Sequence, residues 1–164
     1  MSPVGDIERI TQDRVITLFT KPDGLNYTYL GNWHERPDNS NIEEGLLSNY
    51  LHENGYTQTL IKKAIYELKK VAGVQNKNLY GINKDVYTIL RYGAKVREDV
   101  GENTQTVRLI DWENPQNNHF AIAEEVSIKG ENRKRPDIVI YVNGIALGVL
   151  ELKRSTVSVS EGIR

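Results

Sequence analysis

Three side chains have the types and spacing that phosphodiester hydrolysis would use: Asp137, Glu151 and Lys153. They bracket two apolar, β-branched runs, 138–142 and 145–150, joined by Asn143-Gly144, the pattern of a β-hairpin. Strand alternation puts Glu151 and Lys153 on one face of the second run, and Asp137 opens the first. Asp137, Glu151 and the carbonyl of Leu152 are hard oxygen donors. They suit Mg²⁺, an ion that keeps several waters and pairs with substrate phosphate. Lys153 is a compact point charge beside that site, placed to stabilise charge developing on a phosphate or to help deprotonate an attacking water. A structural salt bridge is the alternative compensation for these charges. Glu-x-Lys by itself is a common triplet. It also occurs at Glu67-Leu68-Lys69, where positions i and i+2 of a helix point apart and a solvated face is the reading.

Register decides whether Asp137 joins the other two. A two-residue Asn143-Gly144 turn pairs Val142 with Ile145 and, by alternation, turns Asp137 away from Glu151. A three-residue loop, Val142-Asn143-Gly144 with Gly144 as a left-handed bulge, pairs Tyr141 with Ile145 and sets Asp137 diagonal to Glu151. The bulged loop is expected here, with Ile138, Ile140, Leu150 and Leu152 turned into the core.

The elements that must position this hairpin are legible in outline. Ser40 followed by Glu43 is a capping-box signature for a helix to about Glu53, stopped by Gly55. Leu60, Ile61, Ala64, Ile65, Leu68, Val71 and Ala72 recur with helical period, with Thr57 to cap and Gly73 to close. A third helix is expected from Lys84 to Arg91 with Asn83 as its cap, and a short one after Thr11. Strands are expected at Lys95–Val100, Thr106–Trp112, Phe120–Lys129, Asp137–Val142 and Ile145–Lys153. Helices followed by a meander of strands read as an α+β or α/β layer structure.

Composition bounds the function. With 164 residues, 38% of them hydrophobic, the chain has the size of a single domain with a real core. It contains no cysteine, which excludes disulfide staples and thiolate metal centres. No apolar run approaches the roughly 20 residues of a spanning helix and no secretion signal opens the chain, so a cytoplasmic protein is expected, with no membrane partner. The 21 basic and 22 acidic residues nearly cancel, so nucleic acid would have to be held by local groups rather than by bulk charge.

Pro136-Asp137 with Glu151-Leu152-Lys153 matches the PD-(D/E)xK nuclease motif. Together with Gly31-Asn32-Trp33, Asn41-Ile42-Glu43-Glu44, Leu109-Ile110-Asp111-Trp112, Arg135-Pro136 and Leu150 through Ser155, the sequence resembles the N-terminal endonuclease domain of the R subunit of type I restriction-modification enzymes. The resemblance covers nearly the whole chain. It implies a single α/β nuclease domain over residues 1–164, with a restriction-endonuclease-like mixed central sheet flanked by helices. It also implies Mg²⁺-dependent cleavage of double-stranded DNA, within a complex that includes modification and specificity subunits. By motif, Asp137, Glu151 and Lys153 would be catalytic, with the ion on Asp137, Glu151 and Leu152. The family joins such a domain to an ATP-driven motor. No Gly-x-x-x-x-Gly-Lys-[Ser/Thr] loop occurs here, so ATP belongs to the full-length subunit, of which this chain is expected to be an amino-terminal fragment. The family's Gln-x-x-x-Tyr pattern, on the helix after the lysine strand, is absent.

Nucleases of this superfamily often add a carboxylate from the first core helix. The apolar residues of the helix after Asn41 centre near Glu43, so Glu43 is a candidate fourth ligand, or only the capping-box partner of Ser40. Lys129, Arg133, Lys134 and Arg135 precede Asp137 as a basic run, either a solvated loop or a phosphate contact. Arg154 and Ser155 follow the lysine and could touch the DNA backbone. His34, His52 and His119 are scattered without metal or nucleophile spacing, and Trp33 and Trp112 read as core or edge packing. The rival functions are a non-catalytic nucleic-acid-binding or assembly module on the same fold, a salt-bridged structural fragment, and a junction resolvase or repair nuclease.

Overall fold

The computed structural model describes residues 3–74, 76–127 and 135–152, with residues 3–8 by backbone alone. The element order is α1 (Pro3–Thr20), β1 (Thr28–Asn32), α2 (Glu44–Glu53), α3 (Gln58–Ala72), α4 (Leu79–Tyr92), β2 (Ala94–Val96), β3 (Gln105–Val107), β4 (Phe120–Glu124), β5 (Ile138–Val142) and β6 (Ile145–Leu150). The fold is mixed α/β, as expected, and consistent with a restriction-endonuclease-like fold. Its residues form two compact units.

The sheet unit holds residues up to Asn41, 120–141 and those from Ala146 onward. Its sheet has the order β1-β4-β5-β6. β1 is parallel to β4, pairing Thr28 with Ala121 and Tyr29 with Ile122, with an irregularity before Asn32 pairs with Glu124. β5 runs antiparallel to β4, since the Glu125 N–H donates to the Asp137 carbonyl at 2.9 Å. Connectivity sets part of the mixture: the two-residue turn between β5 and β6 permits only antiparallel neighbours, whereas β1 reaches β4 through a long crossover. Trp33, Ala121, Ala123, Val126, Val139 and Tyr141 pack together as its core, and the Trp33 and Tyr141 rings lie 5.5 Å apart. Val139 and Tyr141 are therefore buried as well as Ile138, so both faces of β5 are covered.

The helical unit holds residues 42–119 and 142–145. α3 buries Leu60, Ile61, Ala64, Ile65 and Leu68, Thr57 accepts the Leu60 N–H, and Gly73 closes the helix, as the periodicity predicts. α2 differs in its start. Glu43 occupies the cap position with no side-chain cap bond, and its backbone N–H donates to the Gly144 carbonyl at 2.8 Å. A tertiary bond takes the donor that a capping box would satisfy, and α2 starts directly after Glu43 rather than after Ser40. α4 begins five residues earlier than expected, capped by Asn78 in place of Asn83. Exposed Leu79 and Tyr80 and the intervening Gly81 hide its periodicity. The strand expected over 106–112 ends at Val107. Asp111 accepts hydrogen bonds from Glu113 N, Asn114 N and Asn117 Nδ2, which curls the chain into a loop.

The bulged hairpin loop is corrected. Asn143 and Gly144 both have positive φ, 52° and 83°, and two residues separate β5 from β6, which makes a type I′ turn. Burial explains the choice. The fully buried Asn143 side chain accepts the His119 N–H at 2.7 Å. It donates to the Leu109 carbonyl at 2.9 Å and to Asn118 Oδ1 at 2.8 Å. These three bonds hold Asn143 in the left-handed region that it tolerates better than most residues.

Candidate active site

The ends of β4 and β5 meet helix α1 at the rim of the sheet unit. Asp137 immediately precedes β5 and is half-buried. Its Oδ2 accepts the Leu152 N–H at 2.6 Å, while its carbonyl accepts from Glu125. Glu151, just past β6, is exposed and Leu152 half-buried. A type I′ turn should have sent Asp137 away from Glu151 by alternation. The deduction fails because β5 starts at Ile138 and β6 stops at Leu150, leaving Asp137 and Glu151 both beyond the ladder in which alternation holds. Asp137 is thus joined to the Glu151-Leu152 segment through backbone.

Of the other sequence candidates, Arg135 alone is described in this unit. Lys153, Lys129, Arg133, Lys134, Arg154 and Ser155 lie outside the described residues. Arg135 is exposed and its Nε pairs with Glu125 Oε2 at 2.7 Å. Glu43 belongs to the helical unit. Among the described residues, no three His, Asp or Glu side chains cluster closely enough to hold an ion. A metal here would rest on two carboxylates, a carbonyl and water, which Mg²⁺ accepts and Ca²⁺, with its higher coordination number, accepts less readily.

The buried carboxylate is one that sequence reasoning passed over. Glu124, 2% exposed, ends β4 and receives Gln12 Nε2 at 2.7 Å, Arg9 Nη1 at 2.9 Å and the Tyr29 hydroxyl at 2.5 Å. Gln12, itself buried, also approaches Glu125 Oε1 at 3.4 Å and the Asp137 carbonyl at 3.5 Å. It therefore ties α1 to both strands behind Asp137. The partners are dispersed along the chain, so no spacing reveals them. The one available signal is the pair Glu124-Glu125 in an apolar strand, because consecutive strand residues face opposite sides.

Burial pushes the Glu124 carboxyl up, but hydrogen bonds from Tyr29, Arg9 and Gln12 outweigh it and hold the group below the ordinary glutamate range. Burial and the bond to Glu124 push Tyr29 up to about 12, which keeps it a donor. A depressed carboxyl stabilises the fold above its unfolded pKa, near 4.3 for glutamate, and loses that contribution as pH falls through the folded value. Unfolding by urea is therefore expected to show wild-type stability falling more steeply below about pH 4 than that of Glu124→Gln. At neutral pH the variant should be about 1–3 kcal/mol less stable, the cost of leaving charged donors imperfectly paired. Parallel pH profiles would contradict this role.

The family described as type I restriction enzyme R protein N terminus matches residues 8–164. Among curated relatives, the putative type I restriction enzyme MjaIXP endonuclease subunit of Methanocaldococcus jannaschii is 34% identical over 96 residues, 55% of this chain and 9% of that protein. The MjaVIIIP endonuclease subunit of the same organism is 31% identical over 113 residues, 69% of this chain and 10% of that protein. The type I restriction enzyme HindI endonuclease subunit of Haemophilus influenzae is 35% identical over 75 residues, 43% of this chain and 7% of that protein. The chain thus matches a tenth or less of the length of these relatives. No solved structure matches it. Among the described residues no helix is long and apolar enough to cross a membrane.

Proposed function

Since the chain belongs to the family of type I restriction enzyme R protein N termini, we propose that it is the Mg²⁺-dependent endonuclease part of a restriction subunit, hydrolysing phosphodiester bonds of double-stranded DNA in the cytoplasm. The observation that carries this reading is the Leu152 N–H bond to Asp137 Oδ2. It joins the start of the first hairpin strand to the Glu151-Leu152 end of the second, where a divalent ion needs its donors together. Asp137 Oδ1 makes no hydrogen bond within the described residues, which leaves it for an ion. Asp137, Glu151 and the Leu152 carbonyl would hold that ion. What it supplies when bound is a lowered pKa for a coordinated water and neutralisation of charge at the phosphate.

The chain's own groups orient the reaction. Leu152 N–H fixes the Asp137 carboxylate, and Glu125 N–H and Gln12 hold its backbone. Lys153 is assigned to the phosphate or the attacking water, as a point charge or proton acceptor. Arg135, with Lys129, Arg133, Lys134, Arg154 and Ser155, is assigned to DNA phosphates, where contacts position the duplex without reading its sequence. Site choice is assigned to modification and specificity subunits, and ATP-driven translocation to other parts of the subunit.

Calorimetric titration with Mg²⁺ tests the site without relying on cleavage. Binding by the wild-type chain, its loss in Asp137→Ala and Glu151→Ala, and its retention in Lys153→Ala are expected, with circular dichroism to show that all four fold. Equal binding by all four would remove the ion from this hairpin, and the charges would then be a salt bridge or a non-catalytic surface.

A further inference from the structure

The outer face of α4 is built unlike the rest of the helical unit. At 100° per residue, Tyr80, Lys84, Tyr87 and Arg91 fall within about 60° of one another and form one stripe of alternating rings and cations. The opposite side supplies Val86, Ile89 and Leu90 to the core of this unit, so the stripe faces outward. Tyr80 is 78% and Tyr87 57% exposed. Trp112 continues the stripe: the Arg91 guanidinium lies 5.4 Å from its ring centroid. The Trp112 Nε1–H donates to the Leu90 carbonyl at 2.8 Å, which fixes the ring while leaving it 43% exposed.

The charge on this face is unbalanced. The sole acid of α4, Asp85, is paired with Lys77. Beside Trp112, Glu113 is paired with Arg108 at 3.0 Å, and Asp111 is occupied by its own loop. Among the described residues no carboxylate pairs with Lys84 or Arg91.

We propose that this stripe is a binding track for single-stranded DNA, with Lys84 and Arg91 on phosphates and Tyr80, Tyr87 and the edge of Trp112 against unpaired bases. Cations without acids call for a polyanion. Outward aromatic rings call for open base faces, which a duplex does not offer and a single strand does. A protein partner would have to bring acids for both cations or leave their charges buried and unpaired. The two tyrosines stand about 10 Å apart along the helix, which suits rings that take non-adjacent bases with cations between them. The proposal rests on the nuclease reading only for the choice of DNA over RNA.

Fluorescence anisotropy of a labelled oligothymidylate tests it on this chain, against a duplex of equal length. The single strand is expected to bind more tightly. Tyr80→Ala with Tyr87→Ala should weaken binding about tenfold or more, and Tyr80→Phe with Tyr87→Phe, which keeps the rings, by no more than about twofold. Lys84→Gln with Arg91→Gln should reduce the slope of log affinity against log salt by about 1.4, the expectation for two phosphate contacts on a single strand. All four positions are exposed, and circular dichroism checks folding. Tyr80→Ala with Tyr87→Ala should leave Mg²⁺ binding by calorimetry unchanged, so failure of the Mg²⁺ site and failure of this track give separate results. No binding by wild type, affinities unmoved by the alanine pair, or preference for the duplex would each overturn the proposal.

Discussion

Replacing Asp137 with asparagine in the full-length subunit is expected to lower duplex cleavage by roughly 100-fold or more, with folding retained. Asparagine is nearly isosteric and its carbonyl oxygen can still accept the Leu152 N–H that Oδ2 accepts at 2.6 Å. What disappears is the negative charge available to a divalent ion, so the loss should fall on metal affinity and chemistry rather than stability. ATP hydrolysis, assigned to another part of the subunit, should continue at its wild-type rate. Gel assays of supercoiled plasmid at several Mg²⁺ concentrations would show the effect, with partial recovery at high concentration if affinity is the main loss. Gln12→Ala provides the contrast. It removes a buried support of Glu124 and the nearby Asp137 carbonyl while keeping every proposed ion donor, and should cost stability before rate. Cleavage by Asp137→Asn at the wild-type rate would remove Asp137 from the chemistry.

Gly144→Ala should produce a large stability loss for a single added methyl. Gly144 sits at φ 83°, and a Cβ there would lie 2.7 Å from the Glu43 carbonyl oxygen, 2.8 Å from Leu46 Cβ and 2.9 Å from Leu47 N. Two of these atoms are backbone at the start of α2 and cannot swing aside. The left-handed conformation costs an L-residue about 1–2 kcal/mol, and overpacking typically adds about 1–3 kcal/mol. A total near 3–4 kcal/mol is a large share of the roughly 5–15 kcal/mol that holds a domain folded. Gly55→Ala separates the two contributions, because Gly55 has φ 82° with nothing within 4 Å of the added Cβ. It should lose only the conformational part, about 1–2 kcal/mol. Urea midpoints measured side by side would check both values; equal losses would mean that the hairpin turn and α2 yield to each other.

The parts of this fold legible in the sequence are those set by neighbours within a turn or two. α3 is the clearest case, since its apolar spacing, Thr57 and Gly73 are all local and all appear in the structure. α2 and α4 were legible as helices but not at their starts, where tertiary bonds and alternative caps compete at similar energy. The hairpin was legible as two strands around Asn-Gly, and its turn type was not. Both loop lengths are compatible with the residues, and what selects between them is the set of bonds from Asn143 to His119, Leu109 and Asn118, 24 to 34 positions away.

The candidate site divides in the same way. Asp137, Glu151, Leu152 and Lys153 stand out in the sequence because the hairpin that carries them is short, and residue types within it are enough to name a donor set. The support behind Asp137 could not be read there. Arg9, Gln12 and Tyr29 converge on Glu124 from 95 to 115 residues away, and nothing in their local sequence distinguishes them from solvated surface residues. The sequence by itself therefore determined the family, the helical faces, the apolar strands and the residues with chemistry to offer. Tertiary structure alone decided the turn, the buried carboxylate and what holds Asp137 in place, because local periodicity reports burial while a hydrogen bond across the fold depends on which distant donor arrives at 2.9 Å.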